Sequence, residues 1–233
     1  MKWQTLAGLQ FAPGRRRDAT PSWSQEGEDM VLRRLLESRP RGPGFYVDVG
    51  AHHPTRFSNT CHWSRAGWRG INIEPNPEVQ AAFARQQPRD INLCVGVSDS
   101  PGTLRYSMLD DPALNTFDET LAARHAATGR WKIVRTVEVP VRRLDAILAE
   151  YLPAGTAIDF LSIDVEGLDL QVLRSNEWQR WRPRHVLAED HTLALDALET
   201  SALHSLMPGL GYRLVAKTVC TVFYADVRPS SPA

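Results

Sequence analysis

The sequence predicts an α/β fold in which a mostly parallel, seven-stranded sheet carries helices on both faces and ends in an antiparallel hairpin. Short apolar, β-branched runs alternate with segments of helical spacing, and this alternation is typical of a parallel sheet covered on both sides. The last two predicted strands, 212–217 and 219–226, are separated by too few residues for a crossover, so they must pair antiparallel.

Composition is that of an ordinary water-soluble domain, with 42% apolar and 23% charged residues among 233. Lysine plus arginine and aspartate plus glutamate both number 27, so no bulk positive field favours a nucleic acid partner. No run approaches the roughly 18–20 apolar residues that cross a bilayer. We therefore expect neither a nucleic acid partner nor a membrane span.

The three cysteines, Cys61, Cys94 and Cys220, are widely spaced and odd in number. This pattern favours free thiols in a reducing compartment over a disulfide framework or a zinc knuckle. The first 17 residues place their basic cluster after a mixed stretch, which is the wrong order for a secretion signal. A cytoplasmic location is the resulting prediction.

The chain is expected to divide into three parts, a flexible arm at 1–23, one domain at 24–227 and a disordered tail at 228–233. The arm contains proline and arginine but no periodic pattern. Helical spacing begins at Gln25, with acidic residues in the first turn and Ser24 as the predicted N-cap. An arm of this kind would allow exchange between the subunits of a homo-oligomer, although the sequence leaves the oligomeric state open.

The first half of the domain predicts three strands, two of which are followed by a helix. Apolar runs end in glycine, proline or asparagine, which terminate strands and helices. The predicted strands are 45–51, 70–74 and 91–97, and the predicted helices are 60–66 and 77–86.

The regular alternation breaks after the third strand. An irregular segment at 109–130 lies between strands 102–108 and 133–141, where a minimal fold needs only a short connection. Long loops in compact domains are often lids or binding loops, so we expect this segment to line a substrate pocket. Its polar residues are Asn115, Thr116, Arg124 and His125. Beyond it the pattern predicts a helix at 144–152, a strand at 158–164, a helix at 168–175, a strand at 185–188 and a helix at 198–206.

Polar residues follow the predicted parallel strands at the points where the strands end. In such sheets ligands bind beyond the carboxyl ends of the strands, near the place where strand order reverses. The clusters selected by this rule are 48–53, 74–76, 97–99, 164–166 and 189–191.

The turn after the first strand contains a single glycine, Gly50, where a dinucleotide-binding turn has three. A ligand without a phosphate, such as S-adenosylmethionine, needs less glycine for backbone approach. Glu74, 24 positions after Gly50, is placed to bind a ribose diol. The two features together favour the methyl donor over a dinucleotide. Asp48 could instead cap the next turn, and Gly50 could be a turn glycine with positive φ in either case.

Four segments of the chain stand out together, SQEGED at 24–29, FYVDVGA at 45–51, GINIEPNP at 70–77 and LSIDVEG at 161–167. As a set they resemble the FkbM-type methyltransferases, and the resemblance covers about 24–189. It implies a class I methyltransferase fold, Rossmann-like, that binds S-adenosylmethionine and methylates a hydroxyl oxygen, often on a sugar or a natural product.

The resemblance also implies roles for individual positions around the cofactor. Five groups of residues, from the first strand, the following loop, the second and third strand ends and the first helix, would surround it. Asp48, Gly50 and Ala51 would line the cofactor, Ser58, Asn59 and Thr60 would approach its amino acid end, Glu74 would bind the ribose, Ser98 and Asp99 would lie by the adenine, and Gln25 would belong to a lid.

Carboxylates at the ends of the fourth and fifth strands suggest a metal site. Neighbouring strand ends lie about 5 Å apart, so Asp164, Glu189 and Asp190 could converge, and hard oxygen ligands suit Mg²⁺. The pattern is similar to that of magnesium-dependent sugar O-methyltransferases, in which the ion holds the acceptor and lowers the pKa of its hydroxyl.

The general base is not fixed by the resemblance, because the histidine that those enzymes place after the first aspartate is missing here. Candidates are His191, Glu166, His52 and His53, with Asp164 beside them. A structural or solvated imidazole is the alternative for each histidine, and a carboxylate buried at the Gly167 turn is the alternative for Glu166. These residues stay hypotheses at this point.

The preferred function is O-methylation of a small hydroxylated acceptor, a sugar of a glycan or of a glycosylated metabolite. A nicotinamide-dependent oxidoreductase is one alternative, against which the single-glycine turn and the terminal hairpin argue. A non-catalytic module of the same fold is another, against which the intact acidic positions argue. Four tryptophans are expected to pack in the core and not to stack on sugars, namely Trp63, Trp68, Trp178 and Trp181.

Overall fold

The computed structural model describes residues 20–37 and 42–228. Most of the predicted arm and tail, at 1–19 and 229–233, lies outside the described residues. Within the described part, Ser22 donates a hydrogen bond of 2.5 Å to Asp29 of the first helix, and the backbone N–H of Trp23 donates to the same carboxylate at 3.2 Å.

The described residues form ten strands in two sheets. The larger sheet has seven strands in the order β3-β2-β1-β7-β8-β10-β9, parallel except for β10, which is antiparallel to both neighbours. The predicted fold class is confirmed. In chain order the strands are β1 (Phe45–Val49), β2 (Arg69–Ile73), β3 (Ile91–Leu93), β4 (Gly96–Val97), β5 (Gly102–Leu109), β6 (Ile133–Arg142), β7 (Phe160–Ile163), β8 (His185–Glu189), β9 (Tyr212–Lys217) and β10 (Thr221–Asp226).

The smaller sheet, in the order β4-β6-β5, was not expected from the sequence. The single strand predicted at 91–97 is wrong, because the chain leaves the large sheet after Leu93 and pairs again at Gly96 with Val141 of β6. The new pairing requires glycine at position 96, since a Cβ there would lie 2.6 Å from the ring of Phe117.

Seven α-helices connect the strands in the described part of the chain. They are α1 (Glu28–Leu35), α2 (Cys61–Arg65), α3 (Gln80–Gln86), α4 (Glu119–Ala127), α5 (Leu144–Tyr151), α6 (Asp169–Arg174) and α7 (Ala202–Leu206). Short 3-10 helices cover Pro77–Val79, Pro112–Leu114, Leu198–Thr200 and Pro208–Leu210.

Two helix predictions need correction. Helix α1 begins three residues later than expected, with Gly27 at its N-cap; Ser24 instead accepts the Asp29 N–H from outside the helix at 3.2 Å. Helix α4 lies inside the segment predicted to be irregular. Asp118 caps it by accepting the N–H groups of Thr120 and Leu121 at 2.8 and 3.0 Å. The helix was not predicted because its sequence shows no clear helical spacing of apolar residues.

Apolar side chains alternate between the two faces of the large sheet, as the period of two residues in a strand requires. One face packs Tyr46, Phe160, Leu187 and Phe223 against α1 and α2. The other face packs the adjacent strand residues against α5, α6 and α7. Both faces are therefore covered, and the carboxyl ends of the strands are left as the open edge.

The tryptophans belong to these core layers. Trp63 and Trp68 pack against each other with ring centroids 4.5 Å apart, and Trp178 packs on Tyr212 at 5.3 Å. Trp181 is partly buried against the second layer. The prediction of core packing is confirmed. No helix in residues 20–37 and 42–228 is both long and apolar enough to cross a lipid bilayer.

Candidate active site

A cleft of about 780 Å³, measured to its open mouth, lies at the carboxyl ends of β1, β2 and β7. The strand-end rule applied to the sequence selects this edge of the sheet. The turns after the three strands form its floor, and residues 112–117 form one wall.

The floor depends on Gly50, whose backbone N–H donates to the carbonyl of Ile73 at 2.9 Å. Its φ is +78°, in the left-handed region that favours glycine, and a Cβ would lie 1.7 Å from the carbonyl oxygen of Asp164. No other residue fits between β1 and β7 at this point. The neighbouring Ala51 also lines the cleft.

Asp48 lies at the end of β1, buried, and lines the cleft. Its carboxylate accepts a hydrogen bond of 3.0 Å from the hydroxyl of Thr60, so it also anchors the following loop. Burial raises its pKa to about 6. The functional and the capping interpretations of this residue are therefore compatible.

The loop after β1 contributes only one of its three predicted cofactor residues to the cleft lining. Asn59 lines the cleft and donates to the hydroxyl of Ser162 at 3.0 Å. Ser58 is buried behind it and accepts the N–H of Cys61 at 3.0 Å, while Thr60 holds Asp48. Ser58 and Thr60 thus support the site from behind.

Glu74 is buried at the end of β2, with its carboxylate at the cleft. Its two oxygens accept the backbone N–H groups of His52 and Asn76, each at 2.8 Å, and the hydroxyl of Tyr106 lies 3.5 Å away. Burial raises its pKa to about 7 against these hydrogen bonds. A carboxylate held this firmly is positioned before any ligand arrives.

The structure does not bring Ser98 and Asp99 to the cleft lining. The N–H of Ser98 donates to Arg142 at 3.0 Å, and the carbonyl of Asp99 accepts from the Arg143 side chain at 2.8 Å, so both follow the smaller sheet. Apolar and aromatic residues take their place along this wall. They are Val95, Gly96, Val97, Tyr106 and Phe117.

Three carboxylates converge beside the cleft, and we call Asp164, Glu166 and Glu189 the carboxylate cluster. Their oxygens lie within 4.8 Å of one another. Burial and repulsion from Asp164 raise the pKa of Glu166 to about 9, and burial raises that of Glu189 to about 7. Asp164 is exposed to the cleft, yet the surrounding protein limits its hydration, and together with the charge of Glu189 this raises its pKa well above the usual range.

Asp190 does not join this cluster, although it is adjacent to Glu189. Its Oδ1 accepts from Thr192 and Leu193, and its Oδ2 accepts the hydroxyl of Ser201 at 2.5 Å. Burial opposes ionisation of Asp190, but these donors keep its pKa below the usual range. Successive residues of a strand point to opposite faces, so Glu189 and Asp190 diverge, and Glu166 takes the predicted place of Asp190.

His191 contacts the cluster only through Glu189, with Nε2 lying 3.1 Å from Oε1. Its side chain is 63% exposed. Of the other two candidate bases, His52 lines the cleft and His53 does not. Burial lowers the pKa of His52 to about 4 and that of His53 below its usual value. Both are therefore neutral imidazoles near neutral pH.

Backbone strain is concentrated at the cleft. Among the described residues, the non-glycine positions with positive φ are His52 (51°), Phe57 (53°) and Glu166 (51°), and all three line it. Such conformations cost of order 1–3 kcal/mol each and often mark functional sites. The Glu166 carbonyl accepts the Thr116 hydroxyl at 2.7 Å, which fixes that turn.

Sequence analysis missed Asp169, which begins α6. It is buried, its Oδ1 has no hydrogen-bond partner within the described part of the chain, and burial and the charge of Asp164 raise its pKa to about 8. An acidic residue in a first helical turn is ordinarily explained by the helix dipole, so nothing in the pattern set Asp169 apart.

The predicted lid residue Gln25 lines both the cleft and a smaller pocket beside it. Glu28, at the start of α1, accepts the hydroxyl of Thr221 at 3.2 Å and ties this segment to β10. In the loop before α4, Pro112, Ala113, Asn115 and Phe117 line the cleft. Arg124 and His125 belong to α4 and do not line it.

Comparison with known proteins gives one family match and several distant relatives. The family described as Methyltransferase FkbM domain matches residues 48–214. A curated relative, the methyltransferase sdnD of Sordaria araneosa, is 26% identical over 179 residues, which span 66% of this chain and 68% of the relative.

Two solved structures are similar at low identity. A methyltransferase from Geobacter sulfurreducens has a TM-score of 0.45 and 14% identity, with 92% of this chain and 84% of that one covered. A TehB-like SAM-dependent methyltransferase from Corynebacterium glutamicum has a TM-score of 0.42 and 10% identity, with 91% and 94% covered.

Proposed function

Because the chain belongs to the FkbM methyltransferase family, we propose that it binds S-adenosylmethionine in the cleft and methylates a hydroxyl oxygen. The acceptor in this proposal is small, a sugar of a glycan or of a glycosylated metabolite. Membership of a methyltransferase family argues against the nicotinamide-dependent oxidoreductase that the sequence left open. The observation that supports a hydroxyl acceptor is the carboxylate cluster beside the cleft. A hydroxyl must lose a proton to become a methyl ether, and a carboxylate can accept that proton.

The residues present fit this cofactor. Glu74 keeps lone pairs free for a ribose diol, since an ionised carboxylate has about four acceptor positions and the protein uses three or fewer. Tyr106 and Phe117 give the wall an aromatic surface suited to an adenine. The many carboxylates match the positive charges of the methyl donor, and no glycine-rich phosphate loop is needed.

When bound, S-adenosylmethionine would supply an electrophilic methyl carbon to the acceptor oxygen, with its sulfur as the leaving group. The chain has two tasks, to position the acceptor and to take its proton. Glu189, with a pKa of about 7, is ionised in a large fraction of molecules at neutral pH and accepts that proton. His191 contacts Glu189 and is open to solvent, so it passes the proton outward.

Glu166 and Asp164 hold the acceptor in this proposal. With a pKa of about 9, Glu166 is protonated at neutral pH and can donate a hydrogen bond to an acceptor oxygen. Asp164 projects from the end of β7 into the same cleft. The three carboxylates titrate as a unit, so a pH–rate profile would report the cluster and not single residues.

We also propose Mg²⁺ as a partner of the carboxylate cluster. Three convergent oxygen ligands at an open cleft are suited to a hard divalent cation that keeps several waters. The residues holding it would be Asp164, Glu166 and Glu189, and not Asp190. A bound ion would keep these carboxyls ionised, so in its presence Glu166 would be a ligand and not a hydrogen-bond donor. When bound, the ion would supply Lewis acidity toward the acceptor oxygens.

The deciding experiment combines binding and turnover on the full chain with Mg²⁺ present. Calorimetric titration with S-adenosylhomocysteine should give one-site binding in the micromolar range or tighter, and methyl-labelled donor should label a hydroxylated glycan from a panel. Absence of binding would refute the cofactor assignment. Binding with label found on nitrogen or carbon acceptors only would refute O-methylation. Cytoplasmic location and a homo-oligomeric state stay predictions.

A further inference from the structure

A second group of ligating side chains shares Glu189 with the carboxylate cluster and adds a cysteine from the turn between β9 and β10. Glu189, His191 and Cys220 each offer one ligand atom, and these atoms lie within 4.8 Å of one another. We propose that they form a site for a thiophilic divalent cation such as Zn²⁺. This site is distinct in ligand chemistry from the all-oxygen cluster and goes beyond the proposed methyl transfer.

The donor set selects the ion. Zinc is bound by thiolate, imidazole and carboxylate at about 2.0–2.3 Å, and an open zinc site has three protein ligands and a free fourth position. A thiolate is a poor ligand for Mg²⁺ and a good one for zinc. Glu189 Oε1 and His191 Nε2 are already 3.1 Å apart, a separation typical of two ligands on one tetrahedral ion.

Backbone hydrogen bonds hold Cys220 in place. Its N–H donates to the carboxylate of Glu26 at 2.9 Å, and its carbonyl accepts the N–H of Asp190 at 2.8 Å. In the antiparallel pairing of β8 and β10, Thr221 is opposite Glu189. The thiol-bearing residue is thus fixed beside the strand end that carries the other two ligands.

The sequence gives no warning of this site. His191 and Cys220 are 29 positions apart, with no paired Cys or His spacing of a zinc motif, and Cys220 was expected to be an ordinary free thiol. The hairpin brings the ligands together. Because Glu189 belongs to both groups, an ion bound here would share or compete for this carboxylate with the carboxylate cluster.

The test uses Co²⁺ alone, without methyl donor or acceptor, on metal-free full-length protein. Thiolate coordination gives a charge-transfer band in the near ultraviolet, and we expect it to saturate at a single equivalent and to be displaced by Zn²⁺. Cys220→Ser should abolish the band. His191→Ala, at a side chain that is 63% exposed, should weaken cobalt binding at least tenfold.

The matched control is Cys94→Ser, because Cys94 is an exposed free thiol elsewhere on the surface. It should leave the band unchanged. No band in the unmodified protein, a band that survives Cys220→Ser and His191→Ala, or a band lost in Cys94→Ser would each overturn the proposal. Since no methyl donor is present, these outcomes are independent of whether the chain methylates a hydroxyl.

Discussion

The carboxylate of Glu74 accepts the backbone N–H of His52 at 2.8 Å, which joins the end of β2 to the turn after β1 across 22 positions of sequence. This bond holds the turn and the acidic side chain in one rigid unit. It also places a strained residue, with φ of 51° at His52, directly against the floor of the cleft. Several of the predictions below depend on such links between strand ends.

Glu74→Gln should weaken binding of S-adenosylhomocysteine by about 10–100-fold, because hydrogen bonds to a charged group contribute about 1.5–3 kcal/mol. The amide would also turn a donor toward the N–H of His52 or Asn76. Calorimetry measures the change. Glu78→Gln is the matched control, since the Glu78 side chain is 64% exposed, and its affinity should equal that of the unmodified protein. Equal affinity in both variants would remove Glu74 from the cofactor site.

Stability should fall as pH rises, because folding raises the pKa of Glu166 from 4.5 to about 9. The folded state prefers the protonated carboxyl, so this stabilising contribution is complete below about pH 4.5 and is lost as pH passes about 9. Glu166→Gln should therefore flatten the dependence of the melting temperature on pH between these limits. The surface variant Glu119→Gln should keep the original slope. An unchanged slope in Glu166→Gln would contradict the prediction.

Gly50→Ala should destabilise the protein by more than about 3 kcal/mol, since the new Cβ meets the Asp164 carbonyl in addition to adopting positive φ. Gly129 is the matched control that separates the steric contact of the new Cβ from the backbone strain of a positive φ. Its φ is +70°, but a Cβ there meets nothing within 4 Å, so Gly129→Ala should cost only the backbone strain of about 1–2 kcal/mol. Urea denaturation gives both values. Similar losses in the two variants would mean that the contact with β7 is unimportant.

Asp190 and Glu189 should respond in opposite ways to substitution. Asp190→Ala removes the acceptor of several buried hydrogen bonds and should cost about 2–4 kcal/mol of stability, while the stabilisation by Mg²⁺ persists. Glu189→Gln should keep the fold and lose the Mg²⁺ stabilisation. Thermal unfolding with Mg²⁺ and with EDTA distinguishes them. The reverse pattern would restore Asp190 as the ligand.

The sheet was predictable because its strands are short, apolar runs with clear ends. The run at Phe45–Val49 and the glycine after it predict both a buried strand and a tight turn, and both are present. The smaller sheet was not predictable, because Gly96–Val97 is only two residues long and continues an apolar run. Nothing in that run shows where the chain changes partner.

A position at the cleft was predictable where the residue lies at a strand end, as at Asp48, Glu74 and Asp164. Asp190 does not lie with Asp164 and Glu189, the other two predicted metal ligands. Its position next to Glu189 in the sequence suggested that both side chains point the same way, but successive residues of a strand point to opposite faces. Glu166 was placed among bases and not ligands, since its direction depends on a positive φ that only the structure reveals. Ser98 and Asp99 directly follow β4, which belongs to the smaller sheet, and so the chain carries them away from the cleft lining.

The contact between Glu26 and Cys220 spans 194 positions. Domains generally fold as units during synthesis, and β10 supplies a strand of the large sheet near the end of the chain. The small pocket beside the cleft needs Cys220 and Thr221 as well as Glu26 and Glu28. A nascent chain that has not yet released this hairpin would therefore lack the completed acidic pocket.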